Sequence, residues 1–335
     1  MKTESIRVFG LDILKAICAF LVITIHAPFP GILGSCVIAL ARIAVPIFFM
    51  ITGYFYSETQ HRKNELNQIK KILMLCFFAN TLYFLWSLFL NMFTGGQIAQ
   101  FLSNTFSLKS IVKFLVLNES PFAGHLWYLG AILYVLIIVF FLYRTFPTSA
   151  DIVLMIVTPL LLITDLVFGK YSLLLLQREY PYILVRNFMC VGIPYFSIGL
   201  FLRKYDCVVS KLRANCLWLL ALTLLFVCTT ILEKYILNHF NLSSAREHYL
   251  STTFLSVFVF IIFTSHYWDN RMPFLYSIGM KYSTNIYIIH PLLITVLSTT
   301  LRRTPIFGMY SLFRPMVVFA LSILVSKFYD KCRTK

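Results

Sequence analysis

The sequence is 335 residues long, 59% hydrophobic and only 13% charged, with a mean hydropathy of +0.80. Too little of it is polar to clothe a soluble domain of this size, so the composition implies an all-α, polytopic membrane protein. The net charge of +16 comes from cations set in the gaps between apolar runs, not from one basic stripe. It therefore implies membrane topology and contact with anionic lipid headgroups, and no nucleic-acid partner.

A membrane span takes about twenty apolar residues. Ten candidates follow in order, near 9–28, 36–56, 70–93, 126–143, 151–168, 185–202, 214–237, 249–267, 278–300 and 311–329. The fifth contains Pro159 and Asp165 and the sixth Gly192 and Pro194, breaks that a bundle tolerates when neighbours satisfy the freed backbone groups. The first run leads into the second without a small-residue cleavage pattern, so it is expected to remain as a transmembrane helix. With a cytoplasmic N-terminus, seventeen Lys and Arg fall inside and ten outside, which predicts both termini in the cytoplasm. The expected whole is one integral-membrane domain over 1–335, about ten helices in one bundle, of unknown oligomeric state.

The first span carries charge at one end and an imidazole at the other. Asp12, Lys15, Ala19, Val22 and His26 share one helical stripe, and Asp12 lies roughly 21 Å from His26. Asp12 is thus a third ionisable candidate beside His26 and Arg42, too distant to orient the imidazole and expected to pair with Lys15 or Arg7. Arg42 opens the second span, where a guanidinium needs water, a carboxylate such as Glu119, or a ligand. The cytoplasmic loop that follows holds Arg62, Lys63, Lys70 and Lys71, which the positive-inside bias explains and which can also hold phosphates.

Residues 94–124 are too polar to span and suit a helix along the outer interface. They lead through Glu119 to His125-Leu126-Trp127-Tyr128-Leu129, where His125 and Trp127 are either interfacial anchors or the wall of a site. In the penultimate span Ser283, Tyr287 and His290 share a face, either as inter-helical glue or as a site wall. The eight cysteines are scattered, mostly in apolar segments, and read as small core residues, with no disulfide framework and no metal site.

Four of these fragments, in this order, resemble the membrane-bound acyltransferase-3 family of bacterial surface-polymer acylases. They are Leu11-Asp12-Ile13-Leu14-Lys15 with His26 eleven residues on, the run from Arg42 through Pro46-Ile47-Phe48-Phe49 to Thr52-Gly53-Tyr54, the His125–Leu129 stretch, and Ser283 to Pro291. Lys15 stands where the family commonly has arginine and Thr52 where it has serine, so charge and hydroxyl are kept but the bidentate fork is lost. The resemblance implies a multi-pass enzyme of the bacterial inner membrane. It would move an acyl group, acetyl in that family's pattern, from cytosolic acyl coenzyme A to a hydroxyl of an outward-facing glycan or lipid-linked sugar. It implies His26 as general base, Arg42 as oxyanion partner, and donor contacts from Lys15, Arg62, Lys63, Lys70 and Lys71. Acceptor contacts would come from Glu119, His125, Trp127, Tyr287 and His290, with no permanently bound cofactor. Without the family, the same histidines suit a proton-coupled transporter or flippase.

Overall fold

The computed structural model describes residues 8–61, 63–242 and 248–333, and every regular element among them is helical. In chain order the α-helices are α1 (Phe9–His26), α2 (Gly31–Ala41), α3 (Ala44–His61), α4 (Glu65–Phe93), α5 (Ile98–Thr105), α6 (Leu108–Leu117), α7 (Trp127–Thr145) and α8 (Ala150–Phe168). They continue as α9 (Ser172–Leu176), α10 (Ile193–Lys204), α11 (Asp206–Ala214), α12 (Cys216–His239), α13 (Leu250–Phe263), α14 (Pro273–Lys281), α15 (Ser283–Leu301) and α16 (Phe307–Arg333).

Eight helical stretches are long and apolar enough to cross a membrane, and they coincide with eight of the ten regions expected to span. The other two regions are helical but short. One is a five-residue π turn, Phe188–Gly192, running into the twelve residues of α10; the other is the 14-residue α13. Proline explains two of the irregularities. Pro194 has no N–H to give the turn before it; that turn begins at Asn187, whose side-chain oxygen accepts from the N–H groups of Met189 and Cys190. Pro46 in the first turn of α3 likewise cannot bond the carbonyl of Arg42, so the expected second span is two helices that meet at Arg42 and Ile43.

Burial is inverted relative to a soluble protein. Phe77, Phe78, Phe89 and Phe93 on α4 and Leu217, Trp218 and Leu224 on α12 are exposed, while Ser197, Thr252, Ser256, His290 and Ser322 are fully buried. Apolar surface of that extent requires lipid around it. The cysteines follow the same pattern: Cys18, Cys76 and Cys190 are buried as expected, but Cys207, Cys216, Cys228 and Cys332 are exposed and are not core residues.

The chain divides into two compact units, the first comprising Met1–Phe48, Tyr205–Asn241 and His248–Lys335 and the second built on Phe49–Lys204. In unit 1, α1 is the hub. Its Ala16, Ala19 and Ile23 pack with Ile278 of α14, Tyr282 at the junction of α14 and α15, Ile286 of α15, and Val318 and Ile323 of α16. Gly279 permits the closest approach, since a Cβ there would stand 1.7 Å from the Asp12 carbonyl oxygen. In unit 2, α3 and α10 approach through glycines from both sides: a Cβ on Gly53 would meet the Phe196 oxygen, and one on Gly199 the Met50 oxygen, each at 1.9 Å. The segment expected along the interface forms α5 and α6, the latter capped by the Ser107 side chain and ended by Asn118 in the left-handed region (φ 51°).

Candidate active site

The two histidines singled out in different spans come together in unit 1. His26 is the last residue of α1 and is exposed; His290 lies mid-way along α15, fully buried, and their ring centroids are 5.3 Å apart. The Nδ1 of His290 lies 3.0 Å from the Ile286 carbonyl oxygen. A carbonyl only accepts, so Nδ1 carries the proton in the neutral ring and Nε2 keeps the lone pair. Tyr287 stands one turn back with its ring 6.2 Å from that of His290. Ser283, on the same face, donates to the Gly279 carbonyl at 2.8 Å and thereby ties α15 to α14.

Arg42 caps α2 at the break before α3 and is half-buried. It lies close enough to Lys234 of α12 and to Tyr249 to interact electrostatically with both. Lys234 donates to the Ser35 carbonyl, and its neighbour Glu233 caps the start of α13 through the Ser251 hydroxyl and the N–H groups of Leu250 and Ser251, the latter two at 3.2 Å. A carboxylate at a helix N-terminus meets both the unsatisfied N–H groups and the positive end of the dipole. Sequence reasoning passed over Glu233 and Lys234. The available signal was two adjacent charges inside a long apolar helix.

Asp12 pairs with Lys15 at 2.8 Å, as the sequence reading expected, and sits at the far end of α1 from His26. Lys63, Lys70 and Lys71 are exposed around the start of α4; Arg62 lies outside the described residues.

Unit 2 holds the remaining candidates. His125, in a 3-10 turn that opens α7, is buried with its ring edge-on to Tyr83 at 4.7 Å. Trp127 is buried, and the Arg186 guanidinium lies 5.5 Å from its ring centroid. Glu119 pairs with Lys113 at 3.4 Å. Trp127, Glu119, Lys113 and Arg186 line one cavity of about 190 Å³. Two of the acceptor candidates thus share a pocket, while Arg186 joins them from a stretch far along the chain that no local pattern marks. Arg203 of α10 is a further residue passed over, held by Glu58 at 3.8 Å and over the Tyr54 ring at 5.3 Å.

A family model described as an acyltransferase domain (Acyl_transf_3) matches residues 8–326, nearly the whole chain and all the residues of both histidine-bearing helices. The chain belongs to the acyltransferase-3 family. Its apolar helices and this family make it a multi-pass membrane protein. A curated relative, an amino-acid racemase of Enterococcus faecalis, is 28% identical to this acyltransferase-3 chain over 323 residues, 90% of the chain and 43% of the relative. The chain thus spans less than half the length of that relative. No solved structure matches it significantly.

Proposed function

We propose that this acyltransferase-3 member moves an acyl group, acetyl in the simplest case, from cytosolic acyl coenzyme A to a hydroxyl of an outward-facing glycan or lipid-linked sugar. The observation that carries the reading is the His26–His290 juxtaposition within a chain matched by the acyltransferase model over residues 8–326. His26 takes the acceptor hydroxyl proton as the oxygen attacks the thioester carbonyl; the C–S bond breaks and the departing thiolate takes up the proton. Arg42 stabilises the oxyanion, an interaction worth more where water is scarce. Tyr287 and His290 form the wall beside the base. Lys15 has ammonium donors left after its bond to Asp12 and, with Arg62, Lys63, Lys70 and Lys71, contacts the donor's phosphates. Asp12 acts through Lys15 and not on the imidazole. Glu119, His125 and Trp127 contact the acceptor. The setting is the bacterial inner membrane, with both termini cytoplasmic.

The test is incubation of membranes with labelled acetyl coenzyme A, comparing wild type, His26→Ala and Arg42→Ala at matched protein levels. His26→Ala is expected to lower transfer to glycan by about a hundredfold or more, the usual scale for removing a general base. Full transfer by that variant removes the histidine from the mechanism.

A second reading has the same histidines carry protons while a small substrate crosses the membrane, with an amino acid as the candidate because the racemase relative is named for that class. It predicts gradient-driven uptake of labelled amino acids into proteoliposomes with no acyl donor present.

A further inference from the structure

The hairpin of α15 and α16 in unit 1 carries cations and no acid. From Ser283 to Tyr329 the chain holds Arg302, Arg303, Arg314 and Lys327 and no Asp or Glu. Arg302 and Arg303 are exposed in the turn, where water can hold them. Arg314 is placed differently, about 10 Å along α16 from its first residue and half-buried. Its Nη2 donates to the Ser298 hydroxyl of α15 at 2.9 Å, and its guanidinium carbon lies 5.9 Å from the centre of the Tyr310 ring, one turn back. Its Nε is buried without a hydrogen-bond partner, and no carboxylate among the described residues pairs with it. A hydroxyl and a ring face spread the charge without neutralising it. An arginine at membrane depth that has no counter-ion of its own points to a ligand or a pathway.

Tyr310 gives an independent sign. It is 5% exposed, and its hydroxyl has no hydrogen-bond partner among the described residues. Burying a phenol with its donor unused costs desolvation that a bound acceptor would return. Residues 310 and 314 share a face of α16, and Ser298, which accepts from Arg314, keeps its own proton to give. The three side chains together are a set of donors with one net positive charge.

Their place relative to the histidines follows from α15. Gly279, shortly before α15, meets Asp12 near the start of α1, and His290 meets His26 at its end, so the two helices run the same way. Ser298 is eight residues past His290, about 12 Å further along the axis. The Arg314 group thus lies beyond the histidine pair, at the end of the unit opposite to Asp12 and Lys15. A ligand there belongs to the acceptor's side and not to the donor's phosphates. The buried Nε and the buried phenol also set it apart from lipid headgroups, which meet Arg302 and Arg303 first.

We infer that Arg314, with Tyr310 and Ser298, binds an anionic oxygen group of the acyl acceptor, a carboxylate or a phosphate, so that the acceptor is an acidic glycan. The guanidinium fork suits either group. This rests on the acyl-transfer reading and narrows the acceptor by charge. Arg314 is a specificity residue and touches no reacting atom.

The experiment holds the full-length protein in phosphatidylcholine nanodiscs without acyl coenzyme A. Two radiolabelled probes are bound, a uronic-acid tetrasaccharide and a tetrasaccharide phosphate, each against its neutral counterpart, the methyl ester and the unphosphorylated sugar. The wild type should prefer at least one anionic probe by roughly tenfold, the effect of about 1.4 kcal/mol. Arg314→Gln should abolish the preference and leave neutral-sugar binding unchanged, Arg314→Lys should recover part of it, and Tyr310→Phe should reduce it. Without sugar, Arg314→Gln should melt no lower than the wild type, since it removes a charge that lacks a counter-ion; a lower melting temperature makes the arginine a structural brace and overturns the inference. Equal binding of charged and neutral probes, or a preference that survives Arg314→Gln, overturns it too. Displacement of the charged probe by phosphatidylglycerol in the nanodisc makes the anion a lipid headgroup and does the same. Binding needs no turnover, so the two readings fail separately. A protein with the Arg314-dependent preference that transfers no acyl group keeps the anion site and loses the enzyme. One that acylates neutral glycan equally well with Arg314→Gln keeps the enzyme and loses the site.

Discussion

At the scale of single residues, the buried His290 ring is committed to its own helix through Nδ1. Its Nδ1–H is spent on the Ile286 carbonyl, so whatever it does beside His26 is done by the Nε2 lone pair. His290→Asn keeps an amide N–H near the Nδ1 position and loses that lone pair. Both His290→Asn and His290→Ala are therefore expected to lower the acyl-transfer rate by about a hundredfold. The fall should appear in kcat with little change in KM for acyl coenzyme A, measured as initial rates per quantity of membrane-inserted protein. If His290→Asn transfers acyl groups at the wild-type rate, the residue only packs. Each histidine was legible as a polar group stranded in an apolar helix, but nothing local could say that the two would meet. The Asp12–Lys15 pair was legible because it lies within one turn of one helix. Arg186 over Trp127 was not, because cation and ring come from separate stretches brought together only by packing.

Among the elements, the seam between α1 and α14 depends on the absence of a side chain at Gly279. In membranes helix association relies on close packing, since lipid is as apolar as leucine. Gly279→Ala would put a methyl group 1.7 Å from a backbone oxygen of α1, and backbone cannot swing aside as a side-chain tip can. The helices must separate, at a cost of about 1–3 kcal/mol for such overpacking. Thermal unfolding of the purified protein should shift to lower temperature. Gly308→Ala is the control: nothing lies within 4 Å of its added Cβ, and it sits in the first turn of α16, so it should be neutral or stabilising. Equal melting of the two variants would remove the seam from this account. The hydrophobic runs themselves were readable because a span is defined by length and apolarity, which are properties of the sequence. What the runs concealed was interruption. The Pro46 signal was present, yet its effect of dividing the second span at Arg42 depends on where the helix starts, and hydropathy is blind to that.

For the molecule as a whole, the number of helices that cross turns on α10 and α13. Fourteen residues of α13 reach about 21 Å, short of the roughly 30 Å hydrocarbon core, so length alone argues against a full crossing. Charge argues the other way. If both cross, the segment around α11 is cytoplasmic and its Arg203, Lys204, Lys211 and Arg213 obey the positive-inside bias. If neither crosses, that segment faces outward with all four cations, while the C-terminus and the turn after α15 stay where they were. The position of α11 is therefore diagnostic where the termini are not. Cys207 on α11 is exposed, as is Cys332 near the end of α16. In intact cells, variants keeping only one of these cysteines should resist a membrane-impermeant maleimide and react after permeabilisation. A Thr304→Cys variant lacking the native cysteines should react at once. Labelling of Cys207 from outside, with Cys332 still protected, would mean eight crossings. The four cations around α11 weigh for ten: a local membrane thinning or a flanking turn can make up the length α13 lacks at a modest cost per ångström, whereas an outward-facing group of four cations defies the bias that orients such segments.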